Sequence, residues 1–156
     1  MPAFDRKEPS LRARALRHLA RREHTRHELT LKLAPHAESE AEIAGILDDF
    51  TQRGWLSEQR AAEQMVHARR SRYGMARIRR DLEAKGVDAE VVSTTMAALK
   101  EGELEAARAV WRRKFRVAPA DAAGRAKQAR FLLGRGFSTE IITKLLRGLV
   151  KDAADE

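Results

Sequence analysis

The chain has 156 residues, no cysteine and a formal net charge of +8 at pH 7. The absence of cysteine excludes a disulfide framework, a thiolate nucleophile and cysteine-ligated metals. No tract approaches the roughly 20 apolar residues that a membrane-spanning helix needs, and the first residues lack the apolar core of a secretory signal. We therefore expect a cytoplasmic protein whose basic charge suits a polyanionic partner or an acidic protein surface.

Alanine is abundant and β-branched residues are few, which favours helices throughout. The first helix has an apolar stripe at helical spacing, made of Leu11, Ala15, Leu16 and Leu19. Capping boxes at Thr25–Glu28 and Ser39–Glu42 mark two further helix starts. Pro35 cannot continue the hydrogen-bond ladder and should end the middle helix. The first third of the chain therefore predicts three helices.

The core positions of the first third recur further along the chain. Residues 78–99 align without a gap on residues 128–149, and an offset of 49 aligns residues 29–50 on 78–99. Repetition at one period indicates an array of like modules, which present long surfaces and seldom a single deep pocket. We predict an all-α protein of three tandem three-helix repeats that form an elongated, curved array. The predicted repeats are 10–56, 57–100 and 101–151.

Glycine marks the predicted helix ends. Three glycines follow a helical pattern and precede an apolar residue, in Gly54-Trp55, Gly86-Val87 and Gly136-Phe137. A left-handed glycine followed by an apolar residue is the Schellman arrangement, whose partner lies in the preceding turn. Pro119 should interrupt the last repeat, with Asp121 as the cap of the next helix. We expect residues 1–9 and 152–156 to be frayed.

Rows of arginine are the strongest local feature, and several arginines surround Tyr73. A further row at helical spacing consists of Arg108, Arg112 and Arg116. Between positions 108 and 151 the only acids are Asp121 and Glu140, whereas a solvated face normally mixes both signs. We therefore interpret the rows as a surface for phosphates or for an acidic protein. The candidate partner- or DNA-binding residues are Arg69, Arg70, Arg72, Tyr73, Arg77, Arg79, Arg80, Arg112, Arg113 and Arg116.

Other patterns favour structure over chemistry. Acidic residues in the first repeat suit helix capping and solubility better than a hydrolase site, and they are Glu38, Glu40, Glu42, Asp48 and Asp49. Histidines whose spacing crosses two helix boundaries do not form a metal pair, and they are His18, His24, His27 and His36. Aromatic residues at core or cap positions favour packing over base stacking, and they are Trp55, Trp111, Phe115 and Phe137. Since no catalytic motif is present, we predict no enzyme, no metal and no cofactor.

The middle of the chain resembles the RecX family of regulatory proteins. An aromatic follows a glycine in Gly54-Trp55-Leu56, an arginine-rich stretch precedes Gly74, and a helix closes with Lys85-Gly86-Val87. The likeness runs from about Leu11 to Leu149 and is weaker in the third repeat. Three positions depart from the family pattern without touching the arginine rows, namely Ser57, Ala61 and Asp81.

The resemblance implies tandem three-helix repeats and a regulatory role without enzymatic activity. Members of the RecX family bind the RecA recombinase and its nucleoprotein filament, and damp strand exchange, ATP hydrolysis and coprotease activity. The expected setting is DNA repair, recombination and the SOS response, with RecA on single-stranded DNA as partner and the protein itself as a monomer. Some members also bind DNA directly.

Two alternatives remain open. One is a non-specific DNA-binding helical-repeat protein that acts independently of RecA, and the other is a plain scaffold. Acids at the starts of two helices, Asp88-Ala89-Glu90 and Ser138-Thr139-Glu140, would face phosphates and so disfavour sequence-specific reading. Non-specific binding would show steep salt sensitivity without sequence preference.

Overall fold

The computed structural model describes residues 7–156, and within that range it contains nine α-helices and no strand. The helices are α1 (Leu11–Arg21), α2 (Arg26–Leu33), α3 (Glu40–Gln52), α4 (Glu58–Arg69), α5 (Met75–Ala84), α6 (Ala89–Leu99), α7 (Glu103–Lys114), α8 (Ala122–Gly134) and α9 (Thr139–Ala154). Short 3₁₀ turns cover Ala34–His36 and Lys100–Gly102. The predicted all-α class is confirmed. Of the expected frayed ends, residues 1–6 lie outside the described range, and α9 continues to Ala154.

The chain forms two compact units. The first ends at Ala61 and also includes Lys85–Val87, and the second contains residues 62–84 and 88–156. Within the first unit, α1, α2 and α3 enclose an apolar core made of Leu11, Ala15, Leu29, Leu33, Ile43, Leu47, Phe50 and Leu56. Leu16, which we placed in the apolar stripe, is 39% exposed. It is one residue beyond the buried Ala15, and a step of about 100° turns it off the buried face.

In the second unit, α9 packs against both α7 and α8, and α5 packs against α6. An apolar core of this unit consists of Ala107, Val110, Trp111, Leu132, Phe137, Ile142, Leu145 and Leu146. The buried indole N–H of Trp111 donates to Gln128 Oε1 at 2.7 Å, and Gln128 Nε2 donates to Val117 O at 3.1 Å. The polar atoms at this end of the core are therefore satisfied by one another.

The caps explain where several helices begin. Thr25 and Glu28 form a full capping box at the start of α2, as predicted. Ser39 caps α3 through Glu42 N, but the Glu42 carboxylate accepts instead from Glu38 N at 2.9 Å, so the second predicted box is only half present. Asp121 caps α8, as expected.

The predicted glycine caps are left-handed at all three positions. Gly54 has φ 75°, Gly86 has φ 70° and Gly136 has φ 95°. After Gly54 and Gly136, the next amide closes the turn, from Trp55 N to Phe50 O at 2.9 Å and from Phe137 N to Leu132 O at 3.2 Å. The Schellman arrangement thus sets the chain direction after α3 and after α8.

Within the second unit, the turn before α5 is bonded to the turn before α9. Gly74 N donates to Arg135 O at 2.8 Å, and Ala76 N donates to Gly136 O at 3.1 Å. A Cβ on Gly74 would lie 2.5 Å from the Gly136 carbonyl and 2.6 Å from Phe137 N. Only glycine permits this approach of the two backbones.

We predict that Gly74→Ala lowers the free energy of unfolding by about 2 kcal/mol, because the added methyl group must push the two turns apart. The matched control is Gly148→Ala in α9, where a Cβ meets nothing within 4 Å. That change should stabilise the protein by up to about 1 kcal/mol through helix propensity. Urea denaturation followed by circular dichroism measures both. Similar small effects of the two substitutions would contradict the close approach.

In the first unit, His24 is buried between α1 and α2, with only 1% of its surface exposed. Its Nδ1 lies 3.0 Å from Arg22 O and its Nε2 lies 3.1 Å from Lys32 Nζ. This pattern fits a neutral ring that donates from Nδ1 and accepts at Nε2. Burial lowers the pKa of His24, and the charges of Arg22 and Lys32 act in the same direction. The pKa of His18 is also lowered by burial and then by Lys32.

These shifts predict a loss of stability on acidification. Below pH about 6.5 these two histidines bind protons in the unfolded chain, whereas in the folded protein their lowered pKa values keep them neutral to a lower pH. The contribution of the two neutral histidines to the free energy of unfolding is therefore fully present above that pH, and it is lost as the pH decreases towards the lowered folded pKa values. The His18→Gln/His24→Asn double variant should show a flatter dependence between pH 7.5 and 5.5 in urea denaturation. Equal slopes for variant and parent would contradict this assignment.

Candidate partner-binding surface

Asp81 organises the arginines at the start of α5. Its carboxylate pairs with Arg69 Nη1 at 2.8 Å and with Arg77 Nε at 3.3 Å. The Asp81 side chain is 17% exposed, against 33% for Arg69 and 40% for Arg77. One half-buried carboxylate thus fixes two candidate arginines and leaves a net charge of +1 among the three groups.

Tyr73 lies between two guanidinium groups. Arg77 Cζ is 4.8 Å from the centre of its ring, and Arg135 Cζ is 5.7 Å from it. Both distances suit a cation–π contact, which the negative face of the ring stabilises. The half-buried Tyr73 therefore helps to position two cations. Its place in the turn also allows it to contact a partner.

Two further candidates lie against the backbone of other segments. The Arg70 guanidinium lies against Gly102, where a Cβ would overlap Arg70 Nη2. Arg113 Nη2 donates to Ser71 O at 2.7 Å, which joins α7 to the end of α4. Arg70 is half-buried and Arg113 is exposed, so only Arg113 is both fixed and open to solvent.

The remaining candidates are exposed, and no hydrogen bond or ion pair among residues 7–156 joins them to one another; they are Arg72, Arg79, Arg80, Arg112 and Arg116. Arg79 lies 3.8 Å from Glu83 in an exposed pair. The predicted helical row of Arg108, Arg112 and Arg116 is wrong in its last member. Arg116 is not in the helix, because α7 ends at Lys114 and Arg116 has φ 64°. Phe115 turns onto the edge of Phe131, with 5.3 Å between ring centres, and takes the chain out of the helix.

A basic cavity of about 270 Å³ lies beside these residues and was not foreseen. It is lined by Ser71, Arg72, Val110, Arg113, Lys114, Phe131 and Arg135. We name it the basic cavity. Lys114, Phe131 and Arg135 were absent from the candidate set. One feature of the sequence could have drawn attention to Arg135: a cation precedes each of the three left-handed glycines, at Arg53, Lys85 and Arg135.

In the first unit, by contrast, the acids neutralise arginines. Arg12 pairs with Asp49 at 2.7 Å and Arg26 with Asp48 at 2.8 Å. Hydrogen bonds from Arg12 and then from Arg53 lower the pKa of Asp49. Two of the acids assigned to capping and solubility therefore also form ion pairs.

Trp55 corrects a packing assignment. The residue is 43% exposed rather than buried. Its ring lies 5.5 Å from that of Phe50, and Arg53 Cζ lies 5.1 Å from its centre. Trp55 closes the end of α3 as a cap and leaves one part of its surface open, whereas Trp111 and Phe137 are buried as expected.

Within residues 7–156, no group of three or more histidines and acids is placed to hold a metal ion. No helix of the described part of the chain is both long and apolar enough to cross a membrane.

The Asp81 network predicts opposite effects on stability and on anion binding. Asp81→Asn should lower the free energy of unfolding by about 1 kcal/mol, because two arginines lose a half-buried partner. It should also strengthen binding to a heparin column. Glu83→Gln makes the same charge change at an exposed pair and should alter stability by less than about 0.5 kcal/mol. Equal stability of the two variants would contradict the organising role of Asp81.

Comparison with known proteins places the chain in one family. Three family models match in chain order, described as the first, second and third three-helix domains of RecX, over residues 12–50, 57–96 and 101–146. The regulatory protein RecX of Leptothrix cholodnii is 50% identical over 145 residues, which cover 93% of this chain and 92% of the relative. That of Ralstonia nicotianae is 46% identical over 146 residues, covering 94% and 92%.

The fold is also that of a solved relative. The crystal structure of RecX from Lactobacillus salivarius aligns with a TM-score of 0.79 at 22% identity, covering 89% of this chain and 94% of that one. Identity this low shows the fold alone, whereas the sequence relatives and the three domain models extend over most of the chain. This chain therefore belongs to the RecX family of regulatory proteins.

Proposed function

We propose that this protein binds the RecA recombinase and the filament that RecA forms on single-stranded DNA, and that it limits the activities of that filament. The limited activities are ATP hydrolysis, strand exchange and coprotease activity in DNA repair and recombination. Membership of a family of regulatory proteins supports a role without catalysis. The observation that carries the proposal is the basic surface of the second unit, where α5, α7 and the turns after α4 and α8 carry cations that form no ion pair within residues 7–156.

The charge balance makes this surface suited to a nucleoprotein. Arg72, Arg80 and Arg112 are exposed and have no carboxylate partner within residues 7–156. Exposed cations contribute little to folding, since even paired surface charges stabilise by less than about 1 kcal/mol. They do attract phosphate and acidic protein from a distance, and salt weakens that attraction. A filament of protein wound on DNA offers both kinds of anion.

Recombinase activity tests the proposal directly. ATP hydrolysis by the cognate RecA on single-stranded DNA is measured while this protein is titrated from well below one molecule per RecA subunit. We expect hydrolysis to fall at substoichiometric amounts, and excess DNA not to restore it. No fall, or a fall only when the protein coats the DNA, would reject a RecA regulator in favour of an independent DNA-binding protein.

The surface assignment has its own prediction. The Arg72→Glu/Arg80→Glu/Arg112→Glu variant should bind the filament at least about 10-fold more weakly near 0.1 M salt, with a shallower salt dependence. These positions are chosen because the exposed side chains support no described ion pair, whereas replacing Arg77 would also break its pair with Asp81.

The matched control reverses three arginines of α1, with the same change in net charge. Its substitutions are Arg14→Glu, Arg17→Glu and Arg21→Glu. The control should lose less than about 3-fold in affinity if the second unit carries the contact. Equal loss in both variants, measured by filament co-sedimentation on folded proteins, would show that bulk charge and not this surface decides binding.

A further inference from the structure

We propose that the first unit carries a pocket for an arginine side chain of a second protein partner, formed around the carboxylate of Glu58. We name it the Glu58 pocket. Its volume is about 490 Å³, and it is lined by the end of α3, the turn after it, the first residues of α4 and Arg26 of α2. All of these residues belong to the first unit. The inference goes beyond the proposed function and does not depend on it.

One oxygen of the Glu58 carboxylate has a partner and the other has none. Glu58 Oε1 accepts from Arg26 N at 2.7 Å, which satisfies a free amide in the first turn of α2. Glu58 Oε2 is buried. Among the residues within 7–156 that are not exposed, it is the one buried side-chain N or O atom without a hydrogen bond. A buried acceptor without a donor is costly, especially in a charged group. The pocket therefore lacks a hydrogen-bond donor beside Oε2.

The two arginines of the lining are already paired with other acids. Arg26 pairs with Asp48 at 2.8 Å, and Arg60 pairs with Glu23 at 2.9 Å. Together with Glu58, these groups are three carboxylates and two guanidinium groups, which gives a net charge of −1 in a chain of net charge +8. The groups at this pocket therefore oppose the sign of the whole chain and favour a cation as ligand.

A guanidinium group suits the lining better than other donors. It presents five N–H donors in a planar fork and no acceptor, so it can bond Glu58 Oε2 and still donate to neighbouring oxygens. Thr51 and Ser57 bring hydroxyl groups to the lining, and Leu56 brings apolar surface for the aliphatic stem of an arginine. Because Oε2 is shielded from solvent in this structure, the Glu58 side chain must turn towards the cavity when the ligand enters.

The test uses the full-length, ¹⁵N-labelled protein without RecA and the peptide N-acetyl-Gly-Arg-Gly-amide. Its control ligand contains citrulline in place of arginine, which has nearly the same shape and no charge. In an NMR titration we expect saturable shifts of the backbone amide signals of Arg26 and of residues 54–60 with the arginine peptide. The citrulline peptide should bind at least about 10-fold more weakly, because it lacks the charge-assisted hydrogen bond.

Two matched variants test the carboxylate. Glu58→Gln keeps an oxygen for Arg26 N and removes the negative charge, and it should bind the arginine peptide at least about 10-fold more weakly. The control is Glu40→Gln. Glu40 begins α3 as Glu58 begins α4, but it is exposed and does not line the pocket. The control should lose less than about 2-fold in affinity.

If Glu58→Gln unfolds, a blocking variant replaces it. Thr51→Lys introduces an ammonium group at an exposed position of the lining, where it competes with the ligand for Glu58. It should lower the affinity for the arginine peptide at least about 10-fold. Gln52→Lys adds the same charge at the next, exposed position, outside the lining, and should lower it less than about 3-fold.

Three results would overturn the proposal. The first is equal affinity for the arginine and citrulline peptides. The second is unchanged affinity in folded Glu58→Gln. The third is the absence of a saturable shift up to about 20 mM peptide, which would leave the pocket to water alone. Since RecA is absent from every titration, a failure here leaves the recombinase titration unaffected, and the two proposals fail separately.

Discussion

Two backbone hydrogen bonds, from Gly74 N to Arg135 O and from Ala76 N to Gly136 O, join the turn before α5 to the turn before α9. They require a residue without a side chain at Gly74 and a left-handed residue at Gly136. Because the two turns are bonded, Tyr73 meets Arg135 and Arg135 reaches the basic cavity. The position of Arg135, beside Tyr73 and in the lining of the basic cavity, therefore depends on this backbone contact.

Ion pairs hold several arginines in both units, whereas the cations around the basic cavity form none within the described residues. In the first unit, Asp49 pairs with Arg12 and Asp48 pairs with Arg26. In the second unit, Asp81 holds Arg69 and Arg77, while the cations around the basic cavity lack acids within the described residues. Exposed charges add little to folding free energy. An excess of positive charge on a structured surface therefore indicates a negatively charged partner, and it suits the RecA nucleoprotein filament proposed for this protein.

Local physics made much of the fold predictable. Thr25 and Asp121 indicate helix starts because their side chains accept hydrogen bonds from free backbone amides, and the three left-handed glycines indicate helix ends. The repeat of core positions predicted an all-α fold of tandem helix triplets. These features follow from residues that are close in the sequence.

The surface was harder to predict because it depends on contacts distant in sequence. Arg113 meets Ser71 across 42 positions, which no helical period encodes. The row ending at Arg116 failed because helix propensity does not reveal that Phe115 turns onto Phe131. The repeat register gave Trp55 a core or cap position and favoured packing, and as a cap residue it keeps 43% of its surface exposed. The near absence of acids between positions 108 and 151 indicated a basic surface, but it did not show that Arg113, Lys114 and Arg135 line one cavity with Arg72.

Hydrogen exchange of the protein, alone and bound to RecA filaments on single-stranded DNA, tests most directly the claim that this joined pair of turns carries the binding surface. We expect the filament to slow exchange in segments 70–80, 110–117 and 131–137, with little change in α1 to α3. Protection confined to α1–α3, or no protection under conditions where binding is complete, would contradict that claim.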